Sequence, residues 1–359
     1  MRPTVSASEV WSEARGLSVL GSGRALPGEP VSTESLLDRI AAQFGVDVRR
    51  SAHRIAARLG IAFRHLSRTL TERFEGTRAG EGNADLAAAA VRSALAQAGV
   101  SVRDLRYLIA HTATPGEHVP PNVVQIARLL GYRGPVAELR QACTGFANAL
   151  VLAHAVMGST SAGPVAVVGS ETGSVYFDPL RARDDRGQQV NLVQMGDGAA
   201  AVILGPDHSA ATARLSHLFY GQNTSSTPPG LRLVGGGSCA PAVVLPQFAH
   251  DVETIRAHGP TLLACGATAA RTLGVEPREV DYILPHQANG RMARVVAPLL
   301  GVLPERVYVN AHRVGNTGSA AIWLALADLR PTLMPRESVL VLGAEATGYM
   351  FGGFRYVHA

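Results

Sequence analysis

The chain repeats itself, and in the second copy an asparagine stands where the first has a cysteine. Residues 103–111 (RDLRYLIAH) return as residues 278–286 (REVDYILPH), an offset of 286 − 111 = 175. Leu129-Leu130-Gly131 returns as Leu299-Leu300-Gly301 at offset 170, Cys143-Thr144-Gly145 as Asn316-Thr317-Gly318 at offset 173, and residues 165–169 as residues 339–343 at offset 174. Four matches in one order at a near-constant offset mark a duplicated half-domain, far too long for a solenoid unit. Duplicated halves meet about a pseudo-twofold axis, so Cys143 and Asn316 are expected to face one another across it.

Composition narrows the class. Hydrophobic residues are 47% and charged residues 17%, the balance of a compact chain with little disorder. No apolar run reaches the length needed to span a bilayer. Residues 1–16 carry Glu9 and Glu13 and lack the apolar stretch of a secretory signal, so a cytoplasmic location is expected. Three cysteines, Cys143, Cys239 and Cys265, fit free thiols in a reducing compartment. The net charge of +5 comes from scattered arginines, among them Arg49, Arg54, Arg58, Arg64 and Arg68. They form no dense basic run interleaved with aromatics, so no nucleic-acid partner is expected. Solvated helix faces account for them, with weak attraction of an acidic partner as the second reading.

Periodicity divides the chain into alternating strands and helices. Helices are expected over residues 33–44, 83–98, 123–130 and 144–157, and strands over 17–20, 107–110, 136–139, 165–168 and 199–204. Gly21-Ser22-Gly23 reads as a turn. The second half repeats the plan: helices over 261–273, 291–300 and 319–329, strands over 282–284, 307–309 and 339–342. Such alternation implies mostly parallel sheets covered by helices. Residues 224–246, rich in Gly, Pro and Ser and without period, read as a long substrate-lining loop. The expected organisation is an N-terminal extension (1–16), a first half (17–205), connecting loops (206–250) and a second half (251–359).

Three residues carry the chemistry. Cys143 lies between a strand and an apolar helix, where unpaired N–H groups and the helix dipole lower a thiol pKa and offer an oxyanion pocket. Taken alone it is an ordinary buried cysteine; its place at the repeat axis favours the nucleophile. His286 follows an apolar strand, where catalytic groups of α/β sheets collect, and suits a hydrogen-bond donor or base. Its repeat partner His111 is assigned to the core as a satisfied histidine. Asn316 opens a helix and alone would be an N-cap; paired with Cys143 and His286 it becomes an uncharged donor. A papain-like protease needs a different pattern around its cysteine. No metal-ligand spacing appears, and Gly235-Gly236-Gly237 lacks the Lys-Ser/Thr of a phosphate loop.

At these residues the chain resembles the β-ketoacyl synthase III condensing enzymes of the thiolase superfamily. The carrying motifs are Ala142-Cys143-Thr144-Gly145-Phe146, His286-Gln287-Ala288-Asn289 and Gly315-Asn316-Thr317-Gly318, with Gly196-Asp197-Gly198-Ala199 and Arg58-Leu59-Gly60-Ile61 as secondary matches. His286 and Asn316 stand 316 − 286 = 30 residues apart, the spacing of that family. The resemblance implies a five-layered αβαβα fold, a homodimer and a Cys–His–Asn triad. Cys143 would be acylated by a thioester. His286 and Asn316 would bind the carbonyl of a second thioester, and Gly348 would complete the oxyanion hole with the Cys143 N–H. Substrates would arrive on coenzyme A or on an acyl carrier protein, with no further cofactor. Arg58, Asn289, Arg291 and Arg294 would contact substrate or carrier, and Glu117, at a strand-end loop, is a candidate extra base.

The chain also departs from that pattern. The family's adenine-stacking tryptophan falls near Arg54 and its arginine partner near Val175, while the triple-glycine loop reads Ala346-Thr347-Gly348. These departures point to a specialised relative joining two longer acyl thioesters into resorcinol, pyrone or ketone products. The alternatives are an acyltransferase to a hydroxyl or amine, which the retained Asn316 disfavours, housekeeping acetyl-CoA-primed fatty-acid initiation, and a non-catalytic subunit, which Cys143 disfavours.

Overall fold

The computed structural model describes residues 10–158, 163–206, 211–223, 228–239 and 246–359. Residues 1–9 of the expected extension, and 207–210, 224–227 and 240–245 of the expected connecting segment, lie outside the described residues. In chain order the first half runs β1 (Val10–Glu13), β2 (Leu17–Ala25), β3 (Val31–Ser32), α1 (Thr33–Phe44), α2 (Arg49–Leu59), β4 (Phe63–Arg64), α3 (Asn83–Ala98), β5 (Tyr107–His111), α4 (Asn122–Leu130), β6 (Val136–Leu139), α5 (Gly145–Met157), β7 (Val165–Glu171), α6 (Arg186–Gln194) and β8 (Gly198–Pro206). It continues with β9 (Ala213–Gln222), β10 (Leu231–Val234), β11 (Gln247–His250), α7 (Val252–Thr272), β12 (Tyr282–Pro285), α8 (Met292–Leu300), α9 (Ala311–Val314), α10 (Ala321–Leu329), β13 (Ser338–Glu345) and β14 (Met350–His358).

The duplication is visible in the strand order. The first sheet runs β6-β5-β7-β8-β2, and the second runs β12-β13-β14-β9 with a parallel bridge from Ile283 to Val307 outside β12. Strand for strand the two orders match, including which pairs are parallel: β5 with β6 and β7, and β12 with β13 and Val307. Leu17–Val19 of β2 pairs with Ala213–Leu215 of β9 and joins the sheets edge to edge, while β1 pairs with Leu218–Gly221 further along the same edge, opposite β14.

Five layers follow from burial. Ala-rich α3 and α4 cover the outer face of the first sheet. The α7 and α8 helices cover the outer face of the second. Between the sheets lie α5 and α10, whose Phe146, Leu150, Trp323 and Leu326 are all nearly or fully buried among β7, β8, β13 and β14. A helix apolar on every side has to sit in such a middle layer. This is the thiolase-like αβαβα arrangement. A separate cluster under α1, α2 and α6 forms a cap on the first half. Among the described residues no helix is long and apolar enough to cross a membrane.

Several expectations change. The sheets are mixed rather than mostly parallel, because β8 and β14 each run antiparallel between their neighbours. Gly21-Ser22-Gly23 is no turn: β2 passes through it with a bulge between Val19 and Gly21. Those glycines instead let α3 approach, since a Cβ on Gly23 would stand 2.3 Å from the Ala90 carbonyl oxygen and 2.4 Å from the Ala94 nitrogen. Residues 307–309 form only the single bridge, not a strand. The segment expected as an unstructured loop contains β10, paired with β11. The α7 helix begins nine residues before the expected start, because Asp251 caps it through Thr254 N–H at 3.0 Å and Pro260 is accommodated inside it. Arg64 and Arg68 do not decorate solvated faces. Arg64 is fully buried and donates to Thr33 Oγ1 (2.9 Å) and the Val193 carbonyl (2.8 Å), and Arg68 donates to the carbonyls of Ser174 (3.1 Å) and Phe177 (2.9 Å).

Two glycine substitutions separate the causes. Gly23→Ala should destabilise by about 3 kcal/mol, because main-chain atoms of α3 cannot yield to a Cβ. Gly99, which ends α3 at φ 63° with open space around it, should lose only about 1 kcal/mol on change to Ala, from the left-handed backbone alone. Urea denaturation of the two variants checks the order; equal losses would contradict it.

Candidate active site

Cys143 sits in the short link from β6 to α5, and the other half of the molecule holds that link. Glu345, the last residue of β13, accepts from Ala142 N–H (3.3 Å), Thr144 N–H (2.8 Å) and the Thr144 hydroxyl (2.8 Å). The Thr347 hydroxyl donates to the same carboxylate. Gln141 Nε2 adds contacts to Thr144 Oγ1 (2.9 Å) and Tyr220 Oη (3.1 Å). The cysteine is thus bracketed on both sides by N–H groups bound to one carboxylate. Burial pushes its thiol well above the ordinary range, and the charges of Glu345 and then Glu171 push the same way. Burial first, and the two carboxylates after it, therefore outweigh the expected lowering by the helix N-terminus.

Asn316 is held in a matching manner. Its N–H donates to the Gln194 carbonyl (2.8 Å) and its carbonyl accepts from Gly196 N–H (3.1 Å). Its Oδ1 accepts from Gly318 N–H (3.1 Å), which orients the amide and leaves Nδ2 with no protein partner among the described residues. Next to it Ser319 gives its N–H (3.0 Å) and hydroxyl (2.8 Å) to Glu171, at the end of β7. The same hydroxyl lies 3.2 Å from the Gln141 carbonyl oxygen and so ties the Asn316 segment to the Cys143 segment. Burial raises the Glu171 carboxyl, although the Thr114 hydroxyl and Ser319 oppose that shift. Glu171 and Glu345 were not singled out from the sequence. The signal was there: 345 − 171 = 174, the offset of the strands they terminate.

His286 follows β12, its N–H bound to the Leu342 carbonyl at 2.8 Å. Burial lowers its imidazole to about 4, so it is neutral near pH 7. Its Nδ1 is buried without a partner, so a second proton there would face no acceptor. His111 is indeed a core residue, at 0% exposure, but not a satisfied one. Neither ring nitrogen makes a hydrogen bond of good geometry, and burial lowers its pKa to about 3 against a weaker opposing contact with the Ala142 backbone. The ring fills the space left by Gly145 and Gly169, where Cβ atoms would come within 2.5 and 2.8 Å of its nitrogens.

No hydrogen bond among the described residues joins the remaining predicted residues to Cys143. Gly348 is exposed in the turn between β13 and β14, the hairpin that also carries Glu345. Arg291 gives Nε (3.0 Å) and an Nη (2.8 Å) to the Ala57 carbonyl and so closes the last turn of α2, while its N–H binds Asn289 Oδ1 at 2.9 Å. Arg58 and Arg294 are exposed on α2 and α8 beside it. Glu117 is exposed in the loop after β5, and no hydrogen bond joins it to the Cys143 segment. A surface cleft of about 650 Å³ lined by Arg73, Arg181 and Arg186 contains none of these residues.

The comparisons agree with this geometry. Residues 137–222 match the family described as 3-oxoacyl-[acyl-carrier-protein] synthase III, and residues 270–356 match its C-terminal counterpart. The β-ketoacyl-[acyl-carrier-protein] synthase III of Rhodospirillum centenum is 31% identical over 352 residues, covering 93% of this chain and 96% of that one. Among solved structures, the tetronic acid condensing enzyme AbyA1 superposes with a TM-score of 0.83 at 26% identity, over 95% of this chain and 99% of that chain. A priming β-ketosynthase of a polyketide biosynthetic pathway superposes at 0.77 and 26% identity, over 99% of each chain. The chain belongs to the β-ketoacyl-acyl-carrier-protein synthase III family, enzymes of the acyltransferase class that use carrier-bound substrates.

The buried histidines make stability acid-sensitive. An unfolded histidine titrates near 6.5, whereas His111, His286 and His250 sit at about 3, about 4 and about 4 in the fold. Between those values the unfolded chain binds more protons, so the stability is present above pH 6.5 and is lost as pH falls toward 4. Each histidine contributes a slope of up to about 1.4 kcal/mol per pH unit in that window. Urea unfolding at pH 6 and pH 4.5 should show a shallower loss in His111→Gln than in the parent; equal slopes would contradict the assignment.

Proposed function

We propose that this enzyme joins two acyl thioesters through a Cys143-bound intermediate. The observation that carries the proposal is the mutual locking of two helix starts, one bearing Cys143 and the other an Asn316 amide with a free donor. In the first step Cys143 sulfur attacks the acyl carbonyl, the carbon–sulfur bond of the donor breaks, and the cysteine proton leaves with the departing thiol. The Cys143 and Gly348 N–H groups are the proposed oxyanion donors. In the second step His286, neutral and protonated on Nε2, and Asn316 Nδ2 hold the carbonyl oxygen of the second thioester while its α-carbon becomes nucleophilic. With a malonyl substrate the carboxylate leaves as CO2, the new carbon–carbon bond replaces the acyl–sulfur bond, and Cys143 recovers a proton. Each fixed donor to such an oxyanion is typically worth about 3 kcal/mol.

Cys143→Ala should lose the acyl mass adduct while Cys239→Ala and Cys265→Ala retain it, read by intact-protein mass after exposure to acyl thioesters. His286→Ala and Asn316→Ala should still be acylated yet form product about a hundredfold or more slowly. Unchanged product in Asn316→Ala would return that residue to a simple helix cap.

The finer reading is a specialised condensation of longer, carrier-bound acyl groups in a polyketide or fatty-acid-derived pathway, by a cytoplasmic homodimer. Arg54 and Val175 stand where the family's adenine clamp falls, and Arg54 spends its Nε on the Arg50 carbonyl at 3.1 Å. Loss of that clamp weakens coenzyme A by about 1–2 kcal/mol. Two structural neighbours, a tetronic acid condensing enzyme and a priming β-ketosynthase of a polyketide pathway, support the same direction. Competition between acetyl-CoA and a medium-chain acyl-carrier thioester for Cys143 should favour the carrier; preference for acetyl-CoA would restore the initiation role. Carrier docking falls to exposed Arg58 and Arg294 near Asn289, with Arg291 anchoring α2 beneath them. Arg294→Glu should raise the apparent KM for carrier-bound substrate at low salt and much less at high salt.

A further inference from the structure

We propose that Glu345 sets the protonation state of Cys143: by occupying the N–H groups on both sides of the cysteine it keeps the resting nucleophile a neutral thiol. This rests on Cys143 as the nucleophile and goes beyond it by naming a positioning residue and the state it imposes.

The geometry is one-sided. Four donors, Ala142 N–H, Thr144 N–H, the Thr144 hydroxyl and the Thr347 hydroxyl, face the two carboxylate oxygens. Two of the four, the N–H groups, can only donate. A helix N-terminus presents the equivalent of about half a positive charge. Burial disfavours a thiolate first, and the Glu345 carboxylate, bound to the N–H groups on either side of Cys143 just ahead of that helix, opposes it further. The other buried titratable groups of the proposed site do not restore the balance. Glu171, from β7, is a second carboxyl; His111, from β5, and His286, after β12, are buried and neutral near pH 7. The arrangement inverts that of a cysteine hydrolase, in which a cation beside the sulfur holds a standing thiolate. Here the proton stays on sulfur until an acyl thioester occupies the site. It then passes to the departing thiol, so no net proton is released when the acyl-enzyme forms. The same carboxylate holds the loop in place, which is why its removal is expected to loosen acylation geometry while making the free thiol more reactive.

Alkylation by iodoacetamide reads the thiol without requiring turnover. Rates would be measured from pH 6 to 10.5 on the full chain, with peptide mapping to separate Cys143 from exposed Cys239. The parent protein should show an inflection above the ordinary cysteine value of about 8.5. Glu345→Gln, which retains one acceptor oxygen and loses the charge, should lower that inflection by about one unit and speed Cys143 alkylation about tenfold at pH 7.5. Glu345→Asp, which keeps the charge, should stay closer to the parent. A merely structural role predicts no downward shift in Glu345→Gln. An unchanged or raised inflection in that variant overturns the proposal. Should Glu345→Gln fail to fold by circular dichroism, Glu345→Ala takes its place with the same downward shift expected, and a parent inflection at or below about 8.5 overturns the proposal in either case. Failure of condensation in otherwise intact protein would strike the functional reading and leave this result untouched.

Discussion

Two carboxylates cross the pseudo-twofold axis, and the segments that carry Cys143 and Asn316 are held by them. Glu345 ends β13 in the second half and binds the start of α5 in the first. Glu171 ends β7 in the first half and binds the Ser319 N–H just ahead of α10 in the second. Each therefore satisfies backbone donors that would otherwise be orphaned in a buried middle layer. Charge-assisted hydrogen bonds of this kind are worth about 1.5–3 kcal/mol each, and leaving the donors unpaired costs a similar amount. Neither half can present its helix start correctly without the other, which is a physical reason for the duplication to persist as one closed unit.

The same crossing explains why two equivalent positions carry different chemistry. At the first helix start the link holds a thiol beneath a carboxylate, and at the second an amide whose oxygen is tied back to Gly318 N–H. A cysteine can form and release a covalent bond; an asparagine can only donate. With His286 held neutral by burial, the proposed site would combine one nucleophile with two uncharged donors. That set suits a reaction in which negative charge grows on thioester oxygens and then disappears, without a standing cation to trap it. Arg291 illustrates the opposite case: a charged side chain near the site is spent on the Ala57 carbonyl, where it closes a helix.

Much of this was legible beforehand because the relevant signals are local. The helix over residues 33–44 and the strand over residues 136–139 were read to the residue, since Ser32, Gly45 and the apolar spacing mark their ends without outside help. Cys143 and Asn316 emerged from the repeat offset, which needs only the chain itself. Failures came where a distant partner decides. Gly21 and Gly23 look like turn glycines until α3 is placed against them. Arg64 and Arg68 look like surface charges until carbonyls from α6 and the segment after β7 close around them.

The thiol is the sharpest instance of that divide. The chain by itself determined the duplicated architecture, the strand and helix alternation, and the residues that meet at the axis, because periodicity and repetition are written along it. Only the tertiary structure decided the charge on those residues and the direction of strand pairing. A helix start following Cys143 predicts an activated cysteine, yet burial opposes that, and so does a carboxylate that lies 345 − 143 = 202 residues away along the chain and binds the N–H groups on either side of Cys143. Electrostatic environment depends on distances through space, and in this protein the decisive distance is one that folding alone creates.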